Sequence, residues 1–221
     1  MVPAEAHDGA ADTVHRTTWN GVASRSLDFA VALALLLTMA PALVFLAIAI
    51  WLQDGGPPIF AHRRIGRDGR KFSCLKFRTM AVDADERLRQ LLASDPVAAA
   101  EWRSDHKLRA DPRVTYIGAF LRKSSLDELP QIANVLVGQM SLVGPRPIVD
   151  SEVARYGRYF SYYCSIRPGI TGLWQVSGRN DVSYRRRVAL DTLYARSKSF
   201  KLDLSILGRT IPAVFSGAGS S

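Results

Sequence analysis

The chain has 221 residues, nearly half of them hydrophobic, and Lys and Arg exceed Asp and Glu by nine. That length suits one domain with a real core, and the basic balance favours anionic partners: nucleic acid, anionic lipid headgroups or phosphorylated substrates. Neither the two cysteines, Cys74 and Cys164, nor the four histidines, His7, His15, His62 and His106, have redox or zinc spacing, which fits a reducing cytoplasm.

Residues 1–24 are polar and without periodicity, and read as a mobile tail. They hold no basic segment followed by a small-residue cleavage site, so a cleaved signal peptide is not expected. The hydropathy then changes abruptly. FAVALALLLTMAPALVFLAIAIWL, Phe29 to Leu52, is uncharged. As a straight helix it would reach roughly 36 Å, enough for a bilayer core of about 30 Å. The competing reading is a buried helix of a soluble protein. Pro41 sits at its centre, where it removes one backbone hydrogen bond and can bend the helix. Arg25 precedes the segment, and His62, Arg63, Arg64 and Arg67 follow it, so the positive-inside bias does not separate its ends. A helix that enters the cytoplasmic leaflet, breaks at Pro41 and returns satisfies both flanks. This re-entrant topology is favoured over a full span.

Pro58 to Ala61 and Lys71 to Phe77 read as short strands around an Arg67-Asp68-Gly69-Arg70 turn. Helical spacing follows at Asp83 to Ser94, where Leu88, Leu91 and Leu92 share a side. Further helices are expected over 124–137, Ser151 to Ser165, Tyr184 to Ser197 and Leu202 to Phe215, the last with Pro212 near its end. No internal repeat is visible. The expected fold is α+β and mainly helical: a tail (1–24), a membrane-embedded helix (25–54), and a compact domain (55–221) with a β-hairpin and amphipathic helices at the interface. The stretch YGRYFSYYCSIR (156–167) pairs aromatic rings with arginines, which suits a bilayer interface and a wet core equally.

The most informative segment is SSLDELPQ, 124–131. Ser125 and Glu128 have capping-box spacing, whereas Asp127 as N-cap would put Pro130 in the first helical turn, where proline is tolerated. Either register puts the Asp127 carboxylate at the positive end of a helix, which favours the ionised form that a nucleophile needs. Cations sit beside Pro or Gly in several turns: Arg113 in DPRVT, Arg146 in VGPRP, Arg167 in RPGITG and Arg179 in SGR. Lys76 and Arg78 in KFRTM and Arg122 before the acidic pair complete the set. Turns of this kind fix a guanidinium and expose backbone N–H groups, which suits phosphate oxygens. Each cation alone is more readily a solvated surface charge. A diphosphate substrate attacked by a carboxylate would use this much positive charge, with a divalent metal on oxygen ligands.

RSLD, PPIFAHRRIGRDGRKF, KFRTM, DPRVTYIGAFLRKSSLDELPQIANVL, GQMSLVGPRP and RPGITGLWQVSGR follow one another in this order. From about Arg25 onward the chain resembles the bacterial sugar transferases, the monotopic phosphoglycosyl transferases that start exopolysaccharide, O-antigen and glycan assembly. The resemblance implies an enzyme of the bacterial inner membrane, at its cytoplasmic face. It implies transfer of galactose- or glucose-1-phosphate from a UDP-sugar to undecaprenyl phosphate, with release of UMP. Asp127 would be the nucleophile of a dyad with Glu128, in a ping-pong sequence, and Mg²⁺ would bridge Asp127 and the diphosphate. Arg64, Lys76, Arg78, Arg122, Arg146, Pro147, Arg167, Gln175 and Arg179 match positions of the blocks that would contact phosphate or nucleotide. Arg25, Asp28 and Pro41 belong to the membrane element. The family's helix often breaks at Ser-Pro. Here Ala40 precedes Pro41, so a hydroxyl that could satisfy freed carbonyls is missing and a shallower kink is expected.

Two rivals differ in class. A nucleic-acid-binding protein leaves the apolar segment unexplained and lacks a recognised motif. A catalytically silent membrane scaffold would fit loss of the acidic pair, and both members are present. An exposed apolar face suits lipid or a second copy, so a homodimer is compatible with the sequence.

Overall fold

The computed structural model of the protein describes residues 8–105, 108, 110–178 and 182–215. Helix α1 (Asp8–Asp54) is the longest element and begins inside the stretch expected as tail; residues 1–7 lie outside the described ones. The helix continues through Pro41, so the expected break is not a helix end. Proline removes a single i→i−4 bond, and an apolar surrounding penalises opening any further ones. Just before it, the Thr38 hydroxyl donates to the carbonyls of Ala34 at 2.8 Å and Leu35 at 3.2 Å, a pattern that bends helices.

The described chain divides into two compact units. One comprises Met39–Ala61 and Leu75–Pro130; the other draws on the described residues within 8–38, 62–74 and 131–215. Helix α1 and the two-stranded sheet of β1 (Ile59–Ile65) and β2 (Lys71–Phe77) contribute residues to both units.

In the first of these units, Leu43, Leu46, Ala47 and Ile50 of α1 recur at helical spacing. They meet Phe77, Leu121, Ile117, Leu126 and Leu129 in an apolar cluster. The opposite side of the same helix holds Val44, Phe45, Ile48, Trp51 and Leu52, each at least half exposed. One side is a protein core, and the other is open among the described residues. The unit also holds α2 (Ala84–Ser94), α3 (Pro96–Asp105) and α4 (Tyr116–Ser124). The Thr115 side chain caps α4 by accepting from Gly118 N at 2.9 Å. A Cβ on Gly118 would stand 2.0 Å from the Thr79 carbonyl oxygen, so only glycine lets α4 approach the backbone of KFRTM.

The other unit holds α5 (Gln131–Leu136), the parallel strands β3 (Ser141–Val143) and β4 (Gly169–Thr171), α6 (Val153–Tyr156), α7 (Phe160–Cys164), α8 (Tyr184–Ser197) and α9 (Phe200–Phe215). The single helix expected over Ser151 to Ser165 is instead α6 and α7. Between them Gly157 takes φ 50°, outside the helical region. The Tyr-rich stretch divides by face: Tyr156 and Tyr163 are core, while Tyr159 and Tyr162 are exposed. Tyr156 donates to Asp191 at 2.7 Å and Tyr163 to the Ile65 carbonyl at 2.6 Å. Burial pushes the Asp191 carboxyl up to about 6.

Arg25 and Asp28 hold α1 to this unit. Arg25 donates to the carbonyls of Val135 and Leu136 at 2.8 and 3.1 Å, and Asp28 accepts from Leu142 N at 2.9 Å and Ser141 Oγ at 3.1 Å. Ser24 Oγ donates to Asp203 at 2.7 Å.

Candidate active site

Helix α4 stops where Ser125 takes a left-handed conformation, φ 57°. Leu126–Glu128 form one 3-10 turn, and α5 starts only at Gln131. The helix expected over 124–137 is thus split. The expected capping box does not form, because Ser125 makes no side-chain cap bond. Asp127 belongs to the short turn and not to the first turn of a longer helix.

A lysine takes over the role expected of the helix end. Lys76 Nζ donates to Glu128 Oε1 at 2.6 Å and stands 3.6 Å from Asp127 Oδ2. Burial pushes the Asp127 carboxyl up from its ordinary range, Lys76 opposes this, Glu128 adds to it, and Arg122 opposes it. Arg122 is held by donating Nε to Thr79 Oγ1 at 2.9 Å. KFRTM, DPRVT and the acidic turn are built together: Met80 pairs with Val114, and Ala81 N donates to Arg113 O at 2.8 Å. Four expected residues, Lys76, Arg122, Asp127 and Glu128, therefore form one cluster.

Arg78 and Arg113 lie in the same unit with their donors engaged. Arg78 pairs through two nitrogens with the Asp54 carboxylate, one at 2.6 Å, and donates Nε to Pro57 O at 2.8 Å. Arg113 pairs with Asp111 at 2.8 and 2.7 Å and lies 4.8 Å over the Trp102 ring. In these pairs the guanidinium is the fixed part of a fold joint. Asp54, Thr79 and Asp111 were not among the expected residues. Asp54 had one signal, a carboxylate at the exit of an uncharged run.

The remaining basic positions belong to the other unit. Strands β3 and β4 bring VGPRP and RPGITG together, with Gly144 N donating to Thr171 O at 2.8 Å and Gly169 N to Pro145 O at 2.9 Å. A Cβ on Gly144 would lie 2.4 Å from the Arg167 carbonyl oxygen. Arg146 is exposed beside buried Pro147. Arg64 donates to Pro147 O at 3.3 Å and lies 3.7 Å from Glu152; Arg167 Nε donates to Gly138 O at 2.8 Å. Gln175 Oε1 is buried without a hydrogen-bond partner. Arg179 lies outside the described residues.

Among the described residues no group of three or more His, Cys, Asp or Glu could hold a metal by protein ligands alone. The residues present still fit magnesium, which commonly takes one or two carboxylates and completes its shell with water and substrate phosphate. Asp127 and Glu128 supply those oxygens, and the Lys76 ammonium already lies against both as a cation.

The sequence matches the family described as Bacterial sugar transferase over residues 19–217. It is 53% identical over 196 residues to the UDP-galactose-lipid carrier transferase of Erwinia amylovora, covering 89% of this chain and 41% of that protein. Identity is 50% over 200 residues with the exopolysaccharide production protein ExoY of Rhizobium meliloti, covering 90% and 88%. It is 48% over 196 residues with the undecaprenyl-phosphate galactose phosphotransferase of Salmonella typhimurium, covering 89% and 41%. This chain thus spans about two fifths of the Erwinia and Salmonella proteins and most of the Rhizobium one.

Proposed function

We propose that this chain, which belongs to the bacterial sugar transferase family, transfers a hexose-1-phosphate from a UDP-sugar to undecaprenyl phosphate, releases UMP and so starts an exopolysaccharide or related glycan. The observation that carries this reading is the Asp127–Glu128–Lys76 cluster: two adjacent carboxylates gathered on one ammonium. In the first step an Asp127 oxygen attacks the β-phosphorus of the donor. The bond from that phosphorus to the bridging oxygen breaks, and UMP leaves with the electron pair. An aspartyl sugar-phosphate remains. In the second step an acceptor phosphate oxygen attacks the same phosphorus, forms the lipid diphosphate and frees the Asp127 carboxylate.

Lys76 holds Asp127 ionised and neutralises charge at the reacting phosphate. Arg122 adds to that field. Glu128 takes the proton from the acceptor phosphate. Asp127 would hold Mg²⁺ where it is bound, and the ion would supply further charge neutralisation at the donor diphosphate. Galactose and glucose are the donors to test first, as relatives carry galactose or glucose in their names. The exposed side of α1 lies in the inner membrane, with both ends of its apolar run at the cytoplasmic face and the turn between them at Pro41; a second copy on that side would make a homodimer.

The test is release of UMP by detergent-purified protein with undecaprenyl phosphate, Mg²⁺ and a panel of UDP-sugars. One UDP-hexose should give UMP, and Asp127→Asn should lower the rate roughly 10³-fold or more. Silence from folded protein across the panel would point to a scaffold, and undiminished activity in the variant would remove Asp127 as nucleophile.

A further inference from the structure

The arginines around α6 and α8 have no part in that reaction. A groove of about 880 Å³ between residues 154–159 and α8 is lined by Arg155, Arg158, Arg185 and Arg196, all exposed, and among the described residues no carboxylate lines it. The nearby acids are taken: Glu152 lies 3.7 Å from Arg64 and from Arg187, and Asp191 accepts from Tyr156. Arg155 lies 4.8 Å over the Tyr184 ring, and Arg158 donates to the Tyr159 hydroxyl at 2.9 Å. Leu193, 54% exposed, sits among these cations.

The groove's position along the fold is fixed by Asp203. Tyr194, the neighbour of Leu193 in α8, donates to Asp203 Oδ1 at 2.6 Å, and Ser24 donates to Asp203 Oδ2 at 2.7 Å. Ser24 lies just before the uncharged run that begins at Phe29. The C-terminal end of α8, with Leu193 and Arg196, is thereby pinned beside the point where α1 enters its apolar stretch.

We propose that this groove binds the headgroup of an anionic phospholipid of the bilayer, its phosphate taken by the arginines and the start of its acyl region by Leu193. The inference rests on the reading that α1 lies in lipid. Same-sign cations interleaved with tyrosine rings at the bilayer surface are the composition that anionic headgroups select. A soluble phosphate ligand would account for the arginines but not for an exposed leucine at the apolar end.

The experiment is native mass spectrometry of the full chain in neutral detergent, titrated with short-chain phosphatidylglycerol or phosphatidylcholine. Wild type should retain phosphatidylglycerol in preference. Arg155→Gln/Arg196→Gln should weaken that retention by about thirty-fold, taking about 1 kcal/mol per surface arginine and 1.4 kcal/mol per tenfold. Arg155→Lys/Arg196→Lys should keep most of it, and Arg87→Gln/Arg89→Gln in α2 should leave it unchanged. Thermal unfolding of each variant in the same detergent checks the fold, and Arg158→Gln/Arg185→Gln repeats the test at the other two cations. Equal retention of the two lipids, unchanged retention in both glutamine pairs, or displacement of the lipid by UDP or inorganic phosphate would overturn the proposal. Wild-type protein found in the supernatant after membrane fractionation would instead overturn the embedding reading, a separate result.

Discussion

Lys76 faces two carboxylates at once, and its removal is the most informative change at residue scale. Asp127 must be ionised to attack, and burial works against that while Lys76 works for it. Activity should therefore rise with pH along an acid limb set by Asp127. In Lys76→Met that limb should move to higher pH, and the plateau should fall about 10- to 100-fold, the worth of a charge-assisted bond of about 1.5–3 kcal/mol. A pH–rate profile of UMP release checks both; a limb that stays put would separate Lys76 from the ionisation of Asp127. The acidic pair was legible from LDELP alone, but its partner was not, since Lys76 and Glu128 are 52 positions apart and no local spacing announces such a pair. KFRTM offered Lys76 as one cation among several, and the structure places it against both carboxylates.

Asp191 carries a second residue-scale prediction. Its carboxyl, buried and accepting from Tyr156, titrates at about 6 in the fold against an ordinary value near 3.8. Between those values the folded chain binds the extra proton, so this group's contribution to stability is full below about pH 4 and is lost as pH rises through about 6. Asp191→Asn should flatten that part of the stability–pH curve relative to wild type. Unfolding measured at pH 4, 5, 6 and 7 would show it, and parallel curves would contradict it.

At the scale of elements, the close approach of α4 to KFRTM rests on one missing side chain. Gly118→Ala would place a Cβ 2.0 Å from a backbone oxygen, which cannot rotate away, so about 3 kcal/mol or more of stability should go, the upper end for overpacking. A thermal shift on the variant measures it; wild-type stability would mean that α4 can slide. Just before the apolar run of α1, Asp28→Ala would strand Leu142 N and Ser141 Oγ in a buried place and should cost about 1–3 kcal/mol. The expected ranges of β2, α2 and α8 lie within a residue of those found; the turn at 67–70 marks β2, and the stripe of Leu88, Leu91 and Leu92 marks α2. The strands β3 and β4 are three residues each and pair across a long connection, so nothing local marks them. Helix 124–137 failed as an expectation because the left-handed turn at Ser125 interrupts it, and a serine does not advertise that conformation.

At the scale of the whole molecule, the uncharged run was the plainest feature of the sequence and α1 the plainest of the structure. Only 6% of the apolar window within Gly21–Asp54 is buried by protein, a degree of exposure that a soluble core helix does not show. Composition marked that run as apolar, and the structure holds it in one long helix, because summed hydropathy is read without knowledge of the fold. It could not read the division into two units, since α1 and the hairpin serve both and no linker marks the boundary. The family match covers residues 19–217, so every basic block considered above falls inside it.

The central claim is that Asp127 carries the sugar-phosphate between two substrates. Intact-mass measurement of detergent-purified protein incubated with the active UDP-hexose and Mg²⁺, without acceptor, tests it directly. A gain of one hexose phosphate is expected, located on the peptide that contains Asp127, absent in Asp127→Asn and discharged by undecaprenyl phosphate. UMP release that requires both substrates together, with no adduct at any time, would contradict it.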